Sequence, residues 1–292
     1  MAKIFGVNTK IRGKVGEYIY RQTKVGTVVS EAPVKPVTPR RSQQQMNIRT
    51  QWANLGAIYK QFDSMLRRGF EELPPHMSVY NAFIQANLGV VKVYITKTMR
   101  LNGGSILAPY QITRGSLPSI SMAKNASNIL VSSVRLGTLS ITATTTVAQF
   151  SQAVIDNNTA FIEGDQLTFF HGRQSVDSVT RTPRATITGY KVVLNTADDT
   201  PLWNVVERIG FSVADNCLAT SEQITNGAAV WVHSRETADN ALKVSTQFFF
   251  VENSALATYQ SNSAILASVN SYGGINSAAV YLQPDLNATV TP

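Results

Sequence analysis

The spacing of the apolar residues changes at Val90, and this change limits the folds that are open to the chain. Before it, one apolar series advances by three or four residues at a time: Ile48, Trp52, Leu55, Tyr59, Phe62, Leu66 and Phe70. Such steps predict a long amphipathic helix. After Val90, short runs alternate apolar and polar residues, which is typical of β-strands. The sequence therefore predicts an α+β protein with a mainly antiparallel, immunoglobulin-like β-sandwich body.

Local signals place the ends of the predicted helices. Ser42 is a suitable N-cap for the long helix, and Gly69 followed by Pro74 and Pro75 ends it. Ser78 then caps a shorter helix that Gly89 closes. A short connection between two helices predicts a helical hairpin, which we expect to pack through its aromatic residues.

Several segments beyond Val90 have strand composition. We predict strands at 92–97, 129–131, 138–142, 166–170, 185–194, 209–213, 228–233 and 244–251. One more helix is predicted at 147–155, with Thr146 as its N-cap. The domain organisation that follows is an extended basic arm (1–41), a helical hairpin (42–89), a β-rich body (90–282) and a C-terminal tail (283–292).

Charge is distributed unevenly along the chain. Residues 1–100 hold 16 basic and five acidic side chains, whereas residues 101–292 hold 10 basic and 13 acidic ones. Within the arm, 17–21 and 26–30 predict a β-hairpin that turns near Thr23 and Lys24. An isolated hairpin is marginal in water, so we expect it to join a sheet of this chain or of a partner. Pro33, Pro36 and Pro39 predict an extended connection to the first helix.

Few residues in this chain have the spacing of a catalytic or metal site. The three histidines lack metal-ligand spacing, and the single cysteine, Cys217, excludes an intrachain disulfide. We interpret His233 as an edge-of-sheet histidine satisfied by backbone groups and Cys217 as a small buried apolar residue. Neither a nucleophile elbow nor a phosphate-binding loop is present in the sequence. The prediction is a protein that is not an enzyme, with no cofactor and no metal.

The basic arm supplies the candidate site. The residues predicted to contact a partner are Lys10, Arg12, Lys14, Tyr18, Tyr20, Arg21, Lys24, Arg40 and Arg41. One interpretation is docking on acidic surfaces of neighbouring subunits. The alternative is contact with a nucleic-acid backbone, with the two tyrosines available for stacking.

Motifs in the first 90 residues resemble a known family. Gly13-Lys14-Val15-Gly16, the Gln-rich helix start from Pro39 to Gln45, and Ser78-Val79-Tyr80-Asn81-Ala82-Phe83 are similar to uncharacterised proteins of Bacteroidetes and their phages. The strand-rich half fits more loosely, at Val230 to Ser234 for example, and residues 194–224 do not match. This resemblance extends to virion proteins of crAss-like bacteriophages.

The resemblance implies a structural protein of a phage particle. We expect a ring, neck or tail component that is made in the host cytoplasm, resides in the virion and assembles with copies of itself and with neighbouring virion proteins through the arm. No membrane association is expected. Two alternatives stay open: a nucleic-acid-binding virion or cargo protein, and a carbohydrate-binding adhesin that uses Trp203, Trp231 and Tyr272.

Overall fold

A computed structural model describes residues 2–4, 12–23, 26–32, 41–62, 66 and 68–275 of the chain. The helices are α1 (Gln43–Phe62), α2 (Val79–Asn87), α3 (Lys97–Leu101), α4 (Val147–Asn157), α5 (Leu256–Gln260) and α6 (Asn262–Ser271). The early strands are β1 (Ala2–Ile4), β2 (Gly13–Val15), β3 (Tyr18–Thr23), β4 (Gly26–Glu31), β5 (Gln111–Thr113), β6 (Met122–Lys124) and β7 (Leu130–Arg135).

The later strands build the larger sheets. They are β8 (Gln166–Val176), β9 (Pro183–Val193), β10 (Ser212–Ala214), β11 (Cys217–Ala219), β12 (Gly227–Glu236), β13 (Leu242–Val244), β14 (Gln247–Phe248) and β15 (Phe250–Glu252). The sheets have the orders β1-β4-β3-β2, β10-β11-β7-β6 and β13-β12-β8-β9, with β15 also on β12, and β14 pairs with β5. All of these strand pairs are antiparallel, which confirms the α+β class.

Strand β12 in the five-stranded sheet is buried on both faces, because its alternating side chains enter two hydrophobic clusters. Val230 and Val232 of β12 belong to one hydrophobic cluster, whereas Ala229 and Trp231 belong to another. Side chains alternate across a strand, so each cluster lies on one face of this sheet. A central sheet that must be covered on both faces fixes where the helices and the smaller sheet pack.

Helices α1 and α2 cover the first face. The ring of Phe62 in α1 lies 5.6 Å from that of Phe170 in β8 and 6.3 Å from that of Phe83 in α2. Tyr59 also packs edge-on against Tyr80 of α2, with ring centroids 5.1 Å apart. The predicted aromatic packing between α1 and α2 is confirmed, but residues 63–78 separate the two helices, a longer connection than the short one predicted.

Helix α4 and the β10-β11-β7-β6 sheet supply the cluster on the second face. Trp231 lies 4.9 Å from Phe169, and Phe211 joins Phe169 to Phe150 of α4 at 6.3 and 5.9 Å. The predicted cap of α4 is confirmed: Thr146 accepts a hydrogen bond from Gln149 N in a complete capping box. Ser78 is confirmed as the N-cap of α2, since its side chain accepts a hydrogen bond from Asn81 N.

Polar contacts rotate α1 away from the orientation that its apolar series predicts. Ile48 and Trp52 are 48% and 42% exposed, whereas Thr50, Gln51 and Asn54 are buried. Gln51 donates to the Tyr94 hydroxyl at 3.0 Å, and Asn54 accepts from Ile106 N at 2.9 Å. Because Gln51 and Asn54 find hydrogen-bond partners in loop segments, their burial costs little free energy. Helix α1 ends at Phe62, and Phe70 lies in a separate bridge with Arg114.

Two predicted strands are wrong, and the strand predicted at 209–213 is a 3₁₀ helix at Arg208–Gly210 followed by β10 from Ser212. Residues 92–97 and 138–142 have no strand pairing. Val93, Tyr94 and Ile95 are buried in extended chain, but Tyr94 N donates to Tyr259 O at the start of the C-terminal helices and finds no strand partner. The segment contains strand-favouring residues because it is buried. Its composition alone therefore did not show that it lacks a strand partner.

The rotation of α1 generates a test of the packing. Phe62→Ala removes a fully buried ring from contact with α2 and the sheet, and we expect it to lower the free energy of unfolding by about 3–5 kcal/mol. Ile48→Ala, on the same helix and half exposed, should cost less than about 1 kcal/mol. Urea unfolding followed by circular dichroism measures both. Equal losses would contradict the described orientation of α1.

Candidate partner-binding surface

The N-terminal sheet divides the predicted contact residues between two faces. Val15 pairs with Tyr18, and Tyr20 pairs with both Gly13 and Val29. Paired residues lie on the same face, as do residues two apart in one strand. Val15, Tyr18, Tyr20 and Val29 therefore share one side of the sheet, which we call the tyrosine face.

The opposite side carries the cations. Lys14 pairs with Ile19, and Arg21 pairs with Val28, so both cations lie on the side away from the tyrosines. Both side chains are exposed, and we call this side the cationic face. The tyrosines and the basic residues were predicted to form one partner site. The register places them on opposite faces of the N-terminal sheet. A single flat partner cannot contact both sets.

The tyrosine face is incompletely covered. Val15 is 57% exposed and Tyr18 is 49% exposed, whereas Thr27, at the other end of the same face, is 2% exposed. None of the described residues in 12–32 belongs to either hydrophobic cluster of the body. Exposed apolar residues grouped on one face are typical of an interaction surface.

The other residues predicted to contact a partner do not share one location. Arg12 is exposed and directly precedes β2. Arg41 lies far along the chain from the sheet, and its Nη1 donates to Gly273 O at 2.6 Å. Lys10, Lys24 and Arg40 lie outside the described residues, as does the proline-containing segment 33–40. The predicted hairpin is confirmed as β3 and β4, and β1 and β2 extend it into a four-stranded sheet.

The body holds a buried ionic cluster that the sequence interpretation missed. Arg235 Nε and Nη2 donate to the two carboxylate oxygens of Asp165, at 2.6 and 2.7 Å. His233 Nε2 lies 2.7 Å from Asp165 Oδ2. His233 and Arg235 are two apart on β12, and Asp165 directly precedes β8, the neighbouring strand. Strand alternation and register thus bring the three side chains together.

The carboxylate and the imidazole are closed to solvent, whereas the Arg235 side chain is 26% exposed. Asp165 and His233 have no exposed surface, and Phe161 stacks on the imidazole with centroids 4.1 Å apart. Burial raises the pKa of Asp165, but hydrogen bonds from Arg235 and His233 outweigh that effect and hold the pKa at about 2. Asp165 thus joins β12 to the start of β8 through Arg235 and His233.

The earlier interpretation of His233 is therefore wrong. This residue lies on the central strand β12, between β8 and β13, and its ring pairs with a carboxylate. The sequence did contain a signal: alternation along 228–233 extends to Arg235, which places two cation-forming residues on one face. Such a pair needs a buried anion.

Other candidate residues are occupied by internal contacts. Trp231 is completely buried, and its Nε1 donates to Gly210 O at 2.8 Å, so it cannot contact a glycan. Arg208 lies over the ring of Trp203 at 5.1 Å. Cys217 is half-buried, less than the sequence suggested, and burial raises the pKa of its thiol.

A cleft with a volume of about 750 Å³ lies between α4 and the preceding loop. Its hydroxyl groups bond mostly to one another: Thr145 Oγ1 accepts from Thr142 N at 2.8 Å, and Thr142 Oγ1 lies 3.1 Å from Thr144 Oγ1. Gln152 likewise donates to Asp156 at 2.7 Å. These groups satisfy each other and leave little to recognise a ligand.

Two further observations concern only the part of the chain that the structure describes. It contains no group of three histidine, cysteine, aspartate or glutamate side chains arranged to hold a metal ion. None of its helices has both the length and the apolar character needed to cross a bilayer.

Comparison of the chain with protein-family models, with curated proteins and with solved structures finds no match.

The buried cluster predicts a pH-dependent stability. Asp165→Asn removes a carboxylate whose folded pKa of about 2 lies below its usual 3.8. A depressed pKa stabilises the fold above pH 3.8, so we expect a loss of about 2 kcal/mol at neutral pH. This difference from the natural chain should shrink as the pH falls toward 2.

Asp199→Asn is the matched control, since Asp199 is exposed in a turn. It should change stability by less than about 0.5 kcal/mol. Urea unfolding at several pH values measures both variants. A loss in Asp165→Asn that is the same at pH 7 and pH 3 would contradict the carboxylate pairing.

Proposed function

We propose that this protein is a structural subunit of a bacteriophage particle, a ring, neck or tail component whose copies associate through the N-terminal sheet. The observation that carries the proposal is the tyrosine face, an exposed apolar surface built by residues that belong to neither core of the body. The resemblance of the first 90 residues to phage-encoded proteins supports the choice of particle.

The occupant of the tyrosine face is a second copy of the same face. Such a self-complementary contact closes as a dimer, so the tyrosine face joins copies in pairs within the ring, neck or tail. Two antiparallel sheets pack face to face about 10 Å apart when their inner faces are apolar. The described positions of the tyrosine face carry no lysine or arginine, because Lys14 and Arg21 lie on the other side. Packing two tyrosine faces together therefore leaves the cations outside, and the charged residue on this face is Glu31, which pairs with Tyr18.

The favourable free energy of association comes from burying the aromatic and aliphatic side chains of the tyrosine face. Tyr18 and Tyr20 each supply a large apolar ring with a hydroxyl that hydrogen-bonds at the margin of an interface. Tyrosine is among the residues that most often dominate the free energy of association. Val15, at the same end as Tyr18, extends the exposed apolar area.

The body fits a structural role as well. The β10-β11-β7-β6 sheet and the five-stranded sheet contribute to one hydrophobic cluster, in which Leu130 and Leu218 accompany Phe169 and Trp231. We infer from this a sandwich arrangement of the immunoglobulin-like kind, an architecture common in proteins that act by binding. Membership of a virion implies production in the host cytoplasm followed by assembly.

The direct test is the molar mass of the assembly that this chain forms in solution. Size-exclusion chromatography with light scattering should show an oligomer for the full chain and a monomer for a chain that begins at Arg41. Val15→Ser combined with Tyr18→Ser should also reduce assembly, because it removes the exposed apolar part of the tyrosine face.

Lys14→Gln combined with Arg21→Gln is the matched control. It changes the same strands on the opposite face, so the oligomer should persist. A full chain that stays monomeric at its highest soluble concentration would contradict the proposal. So would equal loss of assembly in the two double variants.

A further inference from the structure

A smaller cleft of the body is built around one arginine. Its volume is about 200 Å³, and eight residues line it. They come from three segments: the loop that precedes α4, the chain between β9 and β10, and the residues that follow β11. Those that matter for its chemistry are Ile141, Ala143, Trp203, Arg208, Ser212 and Ser221. The fold therefore brings a cation, an indole and two hydroxyl groups to one place.

Two contacts fix the position of the arginine. The indole Nε1 of Trp203 donates to Thr142 O at 2.8 Å, which ties the ring to the loop before α4. The guanidinium carbon of Arg208 lies 5.1 Å from the centroid of that ring. A cation over an aromatic ring is held there by the charge distribution of the ring. The guanidinium group is therefore in place before a ligand arrives, which lowers the entropy that binding costs.

Arg208 has no carboxylate partner within the part of the chain that the structure describes. The ion pairs there involve other cations, namely Arg68, Lys124, Arg184, His233 and Arg235. None of the eight described residues that line the cleft is acidic. Glu207 and Glu222 adjoin lining residues in the sequence, but neither of these two described residues lines the cleft. The exposed guanidinium group can thus bind an anion from outside.

Two serine hydroxyls line the same cleft. Ser212 pairs with Ala219 of β11, and Ser221 N donates to Ile209 O at 3.2 Å, so the backbone fixes both serines. Neither hydroxyl has a hydrogen-bond partner among the described residues. A hydroxyl group both donates and accepts hydrogen bonds. The cleft therefore offers two such groups beside one cation.

The charge of the cleft matches a carboxylate better than a phosphate. Arginine binds either group through two parallel hydrogen bonds. A phosphate monoester, however, carries a charge of about −1.5 to −2 at neutral pH. Arg208 is the one cation among the eight described lining residues, so a phosphate would leave negative charge unpaired. A carboxylate has a single charge, which one arginine neutralises.

The size and the other lining residues match a single sugar unit. Sites for drug-sized ligands have volumes of about 300–1,000 Å³, so this cleft takes a smaller molecule. Ile141 and Ala143 supply apolar contact for the C–H groups of a sugar ring. Ser212 and Ser221 supply hydrogen bonds for its hydroxyl groups. A glutamate side chain has a carboxylate as well, but it has no hydroxyl groups to pair with the serines.

We infer that this cleft binds an acidic monosaccharide unit, such as a hexuronic acid, whose carboxylate contacts Arg208. The two serines contact the ring hydroxyls, and Trp203 holds the arginine in position. The sequence suggested Trp203 as a direct glycan contact, whereas in the structure Arg208 lies over its ring. This binding goes beyond assembly, because the residues of the tyrosine face take no part in it.

The test is a titration of the full chain with methyl glucuronide and with methyl glucoside, its neutral analogue, followed by ligand-detected NMR. The glucuronide should bind at least about tenfold more tightly, because hydrogen bonds to a charged group are the strong ones. Arg208→Gln should weaken glucuronide binding by at least about tenfold. Glucuronide should also change the indole emission of the natural chain, and this change should be absent from Trp203→Phe.

Arg114→Gln is the matched control. Arg114 is also exposed and also lies over an aromatic ring, that of Phe70, at 5.7 Å. It does not line the cleft. This variant should bind glucuronide as the natural chain does. Thermal melting confirms that both arginine variants are folded.

Four results would overturn the inference. The first is no detectable binding of glucuronide by the natural chain. The second is equal affinity for glucuronide and glucoside. The third is the same loss of binding in Arg114→Gln as in Arg208→Gln. The fourth is tighter binding of N-acetyl-glutamate amide than of glucuronide, which would assign the cleft to an acidic side chain of a protein partner.

Discussion

Alternation of side chains across β-strands is the constraint on which the rest of this structure depends. In β12 of the five-stranded sheet, both sets of alternating residues from Ala228 to Val232 are apolar, and each set has a hydrophobic cluster to cover it. In the N-terminal sheet, one set is tyrosine and valine and the other includes lysine and arginine. The first sheet is therefore complete within one chain, whereas the second leaves apolar surface at Val15 and Tyr18.

Buried polar groups position the irregular segments around the complete sheet. Asn54 in α1 bonds both to Ile106 N and to the Tyr110 hydroxyl, and Asn87 in α2 bonds to Gln111 N at 2.8 Å. Asp165 joins two neighbouring strands through Arg235 and His233. Each of these contacts satisfies a group that would otherwise lose its hydrogen bonds on burial. The helical layer and the sheet are thereby held in one relative position.

The sequence predicted elements whose signals are local. Caps at Ser78 and Thr146, the β3–β4 hairpin and the long strands of the central sheet follow from neighbouring residues. The orientation of α1 did not follow, because the partners of Gln51 and Asn54 lie in remote segments. The pairing of Asp165 with His233 could not be predicted either. The two residues are 68 positions apart, and the register between β8 and β12 brings them together. The division of the candidate site into a tyrosine face and a cationic face required the register of β2, β3 and β4.

Hydroxyl-radical footprinting of the natural chain at increasing concentration tests the central claim most directly, since it needs no substitution. Tyr18 is half exposed in one copy, and Trp52 of α1 has similar exposure outside the N-terminal sheet. Association through the tyrosine face predicts that oxidation of Tyr18 falls as the concentration rises, while oxidation of Trp52 stays constant. Oxidation of Tyr18 that is the same at every concentration would contradict the account.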